Sequence, residues 1–132
     1  MANRDFKDVQ SLDREVKCIS GKFTFHASDG TTTLDTANSM GVASVSNASS
    51  SLVTITLDDK YNRFLGAQVT ILDAAAADAK KLITHITAET VATTKTVILQ
   101  FTSVDDGGLS SNADLGADTV YFMVWVKNSG VK

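Results

Sequence analysis

Val53-Thr54-Ile55-Thr56-Leu57 decides the fold: three apolar side chains alternate with two hydroxylated ones. A strand turns successive side chains to opposite faces, so Val53, Ile55 and Leu57 share one face and the threonines share the other. The same period recurs in both directions along the chain. Ala67, Val69 and Ile71 alternate with Gln68 and Thr70, and Val97, Leu99 and Phe101 repeat the pattern with Ile98 as an apolar residue on the opposite face. Phe23 and Phe25 flank Thr24 after Gly21, a glycine that reads as a bulge or bend. Further strands are expected over 42–46, 81–87, 88–93 and 119–127.

Composition agrees with period. Thr, Val and Ile are abundant, and β-branched side chains suit a pleated surface better than a helix. Turn residues punctuate the strands at Ser28-Asp29-Gly30, Asn47-Ala48-Ser49-Ser50, Asp58-Asp59-Lys60 and Asp105-Asp106-Gly107-Gly108. No helix-length stretch is available for a parallel crossover. The expected fold is all-β, an antiparallel sandwich or barrel-like domain of about seven to eight strands.

At 132 residues the chain suits one domain, expected over 15–132, with a short N-terminal arm over 1–14. That arm carries a sparse apolar stripe, Phe6, Val9 and Leu12, and reads as a mobile arm or a short amphipathic helix. Residues 74–81 (AAAADAKK) read as a loop with one helical turn, and 105–118 as an exposed polar loop. Proline is absent, which leaves sheet edges to be covered by loops, charges or neighbouring chains.

Charge and special residues narrow the function. A net charge of −3 gives no cationic excess for neutralising phosphates, so nucleic acid is not an expected partner. The one cysteine, Cys18 between Lys17 and Ile19, reads as a small buried thiol and allows no intrachain disulfide. The charged start MANRDFKDVQ lacks a signal-peptide core, and the Val120–Val126 run is too short to span a bilayer, so a soluble protein made in the cytoplasm is expected.

Catalytic chemistry finds no foothold. His26 and His85 stand on different strands, outside any metal-ligand spacing. Asp58 and Asp59 are turn formers facing water. Asp105-Asp106-Gly107-Gly108 lacks the alternating oxygen ligands of a calcium loop, and Asn47-Ala48-Ser49 is a glycosylation sequon without a secretion signal. Neither a phosphate cradle nor a G-x-S-x-G elbow is present. The expectation is a non-enzyme with no catalytic residues, cofactor or metal.

Thr119–Lys127, TVYFMVWVK, is the unusual segment. Val120, Phe122, Val124 and Val126 share the core face, which sends Tyr121, Met123 and Trp125 to the other side. Large side chains left together in water are unfavourable. Two readings follow: the chain's own arm or a loop covers them, or another subunit does, since Tyr, Trp and Met are enriched in interface cores. The candidate interface set is therefore Phe6, Val9, Leu12, Tyr121, Met123 and Trp125.

REVKCISGKF (14–23), GVASV (41–45), VTITLDDKYNRFLGAQVTI (53–71) and the closing VKNSGVK (126–132), in that order, resemble small virion proteins of tailed bacteriophages. The LDDKYNRFLGA block is the most specific part, and the resemblance extends over most of the chain. It implies a head-decoration (cement) or other accessory protein on the capsid surface. Its expected partner is the major capsid protein or another virion protein. A homo-oligomer is implied too, a trimer matching the local three-fold points of a shell. Within the block, Tyr61, Phe64 and Leu65 are expected to close one end of the core, with Lys60 and Arg63 facing solvent or a neighbour. Head and tail locations both remain open at this point, as does a carbohydrate-binding sandwich that would use Tyr121 and Trp125 as a platform.

Overall fold

The computed structural model describes residues 16–26, 31–49, 51–74, 82–103 and 117–128. Eight strands follow in order: β1 (Val16–Phe25), β2 (Thr32–Leu34), β3 (Val42–Ser49), β4 (Leu52–Leu57), β5 (Arg63–Leu72), β6 (Leu82–Thr90), β7 (Thr96–Ser103) and β8 (Thr119–Lys127). They form two four-stranded antiparallel sheets, ordered β2-β1-β8-β5 and β3-β4-β7-β6. The fold is a β-sandwich. Its two sheets are interlocked, because β4 and β7 are neighbours in one while β5 and β8, their successors, are neighbours in the other.

Alternation builds the core. Val53, Ile55 and Leu57 of β4 and Val97, Leu99 and Phe101 of β7 face Ile19, Phe23 and Phe25 of β1 and Val120, Phe122, Val124 and Val126 of β8, all buried. Phe25 meets Phe23 and Phe101 edge-on, each pair with ring centroids 5.4 Å apart, the arrangement that aromatic quadrupoles favour. Tyr61 closes one end, fully buried, with Lys17 Nζ donating to its hydroxyl.

Several expectations are corrected. Gly21 makes no bulge: it pairs regularly with Phe122, and a side chain at 21 would strike the Phe122 ring, with Cε1 2.9 Å from the new carbon. The bulge lies instead at Leu65, between Phe64 and Gly66, where Gly66 takes φ +156°. That extra residue leaves Leu65 49% exposed, so it does not join Tyr61 and Phe64 at the core's end. The strands expected over 81–87 and 88–93 are one strand, β6, with a register shift between Ile86 and Ala88. The shift inverts the alternation: Leu82, Thr84 and Ile86 share a parity that the chain loses before buried Val91. Residues 47–49, expected in a turn, extend β3, and β4 begins at Leu52 directly after buried Ser51.

Candidate docking surface

Strand register maps the outer face of the β2-β1-β8-β5 sheet row by row, written in the order β1, β8, β5. Val16–Lys127–Arg63 forms the first row, followed by Cys18–Trp125–Gly66, Ser20–Met123–Gln68 and Lys22–Tyr121–Thr70, with Thr24–Thr119–Leu72 last. The three residues singled out in β8 therefore stand in consecutive rows of one face. Tyr121 and Met123 are 44% and 46% exposed, whereas Trp125 is half-buried. Leu72 of β5, in the Thr119 row, adds another exposed aliphatic side chain to this face.

Cys18 is a further correction. Its thiol is exposed, because Ile19, Gly21, Phe23 and Phe25 take the inward phase of β1 and Cys18 takes the outward one, opposite Trp125. Of the other interface candidates, Phe6, Val9 and Leu12 lie outside the described residues, as do most of 74–81 and 105–118 and the whole of the 105–108 turn.

A wall rises at one side of this face. After β2 the chain makes one 3₁₀ turn, Thr36–Asn38, capped by Asp35, whose carboxylate accepts from the Asn38 backbone N–H at 3.2 Å and from Asn38 Nδ2 at 2.8 Å. Asp35 also takes Lys22 Nζ at 2.9 Å. The Lys22 hydrogen bond, then those from Asn38, hold the Asp35 carboxyl down to about 2, and the same contact raises Lys22. Lys22 in turn lies 5.8 Å from the centre of the Tyr121 ring. Between the wall and β5 runs a shallow hollow of about 330 Å³, lined by Ser20, Asn38, Gln68, Thr70, Tyr121 and Met123 among others. Sequence reasoning missed Gln68, Thr70, Asn38 and the Lys22–Asp35 pair. The first two share the outward phase of β5 and were legible in principle, but the 3₁₀ wall has no periodic signal.

The opposite outer face differs in kind. From β3, β4 and β7 it presents Ser44, Ser46, Thr54, Thr56, Thr96, Ile98, Gln100 and Thr102, mostly hydroxylated side chains. His85 stands there against Gln100, Nε2 to Oε1 at 3.2 Å, while His26 bonds Thr33 at the end of the other sheet, so the two histidines are not brought together. Asp58 and Asp59 are exposed in their turn, where the Asp58 carbonyl accepts from Lys95 Nζ. Among the described residues, no three His, Cys, Asp or Glu side chains gather around a common point.

No protein-family model, curated protein or solved structure matches the chain.

Proposed function

We propose that this chain is a non-enzymatic structural protein of a tailed-bacteriophage virion, a decoration protein that docks on the assembled head. It does so through the outer face of β1, β8 and β5. The observation that carries the reading is Tyr121 and Met123 standing exposed in adjacent rows of an interior strand. An interior strand of a sandwich sheet ordinarily presents polar side chains to water, and here the outward row is aromatic and thioether. Trp125 and Leu72 extend the same apolar surface. The order of the REVKCISGKF, LDDKYNRFLGA and VKNSGVK blocks supports a virion role in particular.

The partner in this reading is the major capsid protein, and the protein sits on the capsid surface as a homo-oligomer, a trimer where it occupies three-fold points. Co-sedimentation with undecorated heads, together with light scattering of the free protein, tests the reading. Saturable head binding by an oligomer is expected. A strict monomer that ignores heads and tails alike would refute it.

One observation favours a second reading as a carbohydrate-binding sandwich. The hollow sets the Tyr121 ring among amide and hydroxyl side chains, the combination that sugar rings use. Selective binding on a glycan array, lost in Tyr121→Ala, would promote it.

A further inference from the structure

The two sides of the sandwich are finished differently. A sheet edge carries unpaired backbone N–H and C=O groups, which short strands, bulges, charges or covering contacts ordinarily protect. The β2/β3 side has such protection. β2 is three residues long, β3 shifts register in two places, and Thr32 Oγ1 donates across the sheets to the Val45 carbonyl at 3.5 Å. On the other side the edges are β5 and β6, ten and nine residues long. Among the described residues β5 pairs only with β8, and β6 only with β7. Their protection is confined to one end each: Arg63 and the Leu65 bulge in β5, the shift after Ile86 and Glu89 in β6. Residues 66–72 (GAQVTIL) and 82–86 (LITHI) hold no Lys, Arg, Asp, Glu or Pro. The inward side chains here, Phe64, Ala67, Val69, Ile71, Leu82 and Ile86, pack on the core yet are only partly buried. Hollows open the seam at both ends, about 370 Å³ beside Phe64 and Val91 and about 170 Å³ between Ile71 and Leu82.

Residues 66–72 are self-complementary about Val69. Laid antiparallel on a second copy with Val69 opposite Val69, Ala67 meets Ile71 on the inward side and Gln68 meets Thr70 on the outward side. Gly66, with open space where a side chain would stand, meets exposed Leu72. All of these pairs lie beyond the bulge. The area suffices as well. Ten residues at ~3.3 Å each, on sheets about 10 Å apart with their side chains, give a side of roughly 33 by 20 Å. Two copies would then bury roughly 1,200 Å², where the range of stable interfaces begins. A lone extended peptide would pair with β5 and leave the β6 flank open, whereas a second copy covers both.

We propose that two copies of this chain join edge to edge through β5, antiparallel about a two-fold axis at Val69. The sheet then runs continuously, β2-β1-β8-β5 followed by β5-β8-β1-β2 of the second copy. Such an axis is perpendicular to the sheet, so both outer faces look the same way, with the two β8 strands roughly 14 Å apart. The pairing stands on the edge itself; its use, two Tyr121–Met123 surfaces presented together to a head, rests on the decoration reading. It specifies the homo-oligomer as a two-fold pair, suited to two-fold rather than three-fold points of a shell.

Light scattering of the free protein is expected to give twice the 14.0 kDa of one chain. Gln68→Lys with Thr70→Lys sets like charges opposite each other across the axis and is expected to shift the pair at least about tenfold toward monomer, with circular dichroism and melting unchanged. Directly opposed residues have Cα atoms about 4.5–5.5 Å apart, within reach of a disulfide. In a Cys18→Ser background, Val69→Cys should therefore cross-link to itself on mild oxidation, whereas Thr56→Cys on the opposite outer face should not. Should Val69→Cys fail to fold, wild-type mass and the lysine variant carry the test. A wild-type monomer or trimer overturns the inference, as does a dimer that withstands the lysine pair. A monomer that binds heads saturably overturns the inference and leaves head docking standing. A dimer that ignores heads supports the pairing and overturns the decoration reading.

Discussion

Gly21 of β1 lies directly across the strand pair from Phe122 of β8, and the Phe122 ring occupies the space that any side chain at 21 would need. Ser39 Oγ closes the site from another side, 3.0 Å from the same point, and accepts the backbone N–H of Lys22. The sheet, the 3₁₀ wall and the core thus meet at one missing methyl group.

Gly21→Ala is accordingly expected to destabilise the fold by about 1–3 kcal/mol, the cost of overpacking a filled core. Urea unfolding measures it. Pairing it with Phe122→Leu in a double-mutant cycle should give a coupling energy well above zero, because the two residues contend for one volume. Additive losses would show that the collision is relieved elsewhere.

Asp35 makes the fold acid-sensitive in a defined window. Its carboxyl is lowered from 3.8 to about 2 in the fold, first by the Lys22 hydrogen bond and then by Asn38. A lowered carboxyl contributes stability that is present above 3.8 and lost as pH falls toward about 2. Asp35→Asn should therefore flatten the stability-pH profile between about pH 4 and 2 while changing little of its shape near neutrality. Denaturation followed across that range checks the sign.

Asp118 acts in the opposite sense. Burial, and then Asp73 beside it, push its carboxyl up, although the Ala74 backbone N–H donates to Oδ1 at 2.9 Å. A raised carboxyl favours the fold below 3.8 and loses that contribution as pH rises through its shifted value. Asp118→Asn keeps an acceptor for Ala74 without the charge. At pH 7 it is expected to leave stability unchanged or raise it by about 0.5 kcal/mol, with a flatter profile toward acid.

Truncating Phe25 should cost far more than truncating Tyr121. Phe25 is buried between Phe23 and Phe101, so Phe25→Ala is expected to lose about 3–5 kcal/mol. Tyr121 is 44% exposed, and Tyr121→Ala should stay within about 1 kcal/mol of wild type. Equal losses would place Tyr121 in the core and remove it from the docking face.

Two-residue alternation made much of this molecule legible. Thr119–Lys127 has the bounds expected of it, and the inward sides of β4, β7 and β8 are those that period assigns. Alternation fails wherever one residue is added. The shift before Ala88 made one strand read as two, and the bulge at Leu65 turned an expected core residue outward. Cys18 was legible, since Ile19, Phe23 and Phe25 set its phase; the small thiol's general liking for burial was the wrong guide. The wall at Thr36–Asn38 was not, because its geometry comes from Asp35 capping and the Lys22 contact between segments far apart in sequence.

The native thiol offers the most direct test of docking through this face. Cys18 is the chain's one cysteine, and it lies in the Trp125 row with its side chain exposed. In free protein it should react readily with a maleimide while the fold stays intact. On saturated heads the account predicts that alkylation slows at least about tenfold, tracking occupancy. Equal rates for free and head-bound protein would mean that docking leaves the outer face of β1, β8 and β5 open to water, contradicting the account.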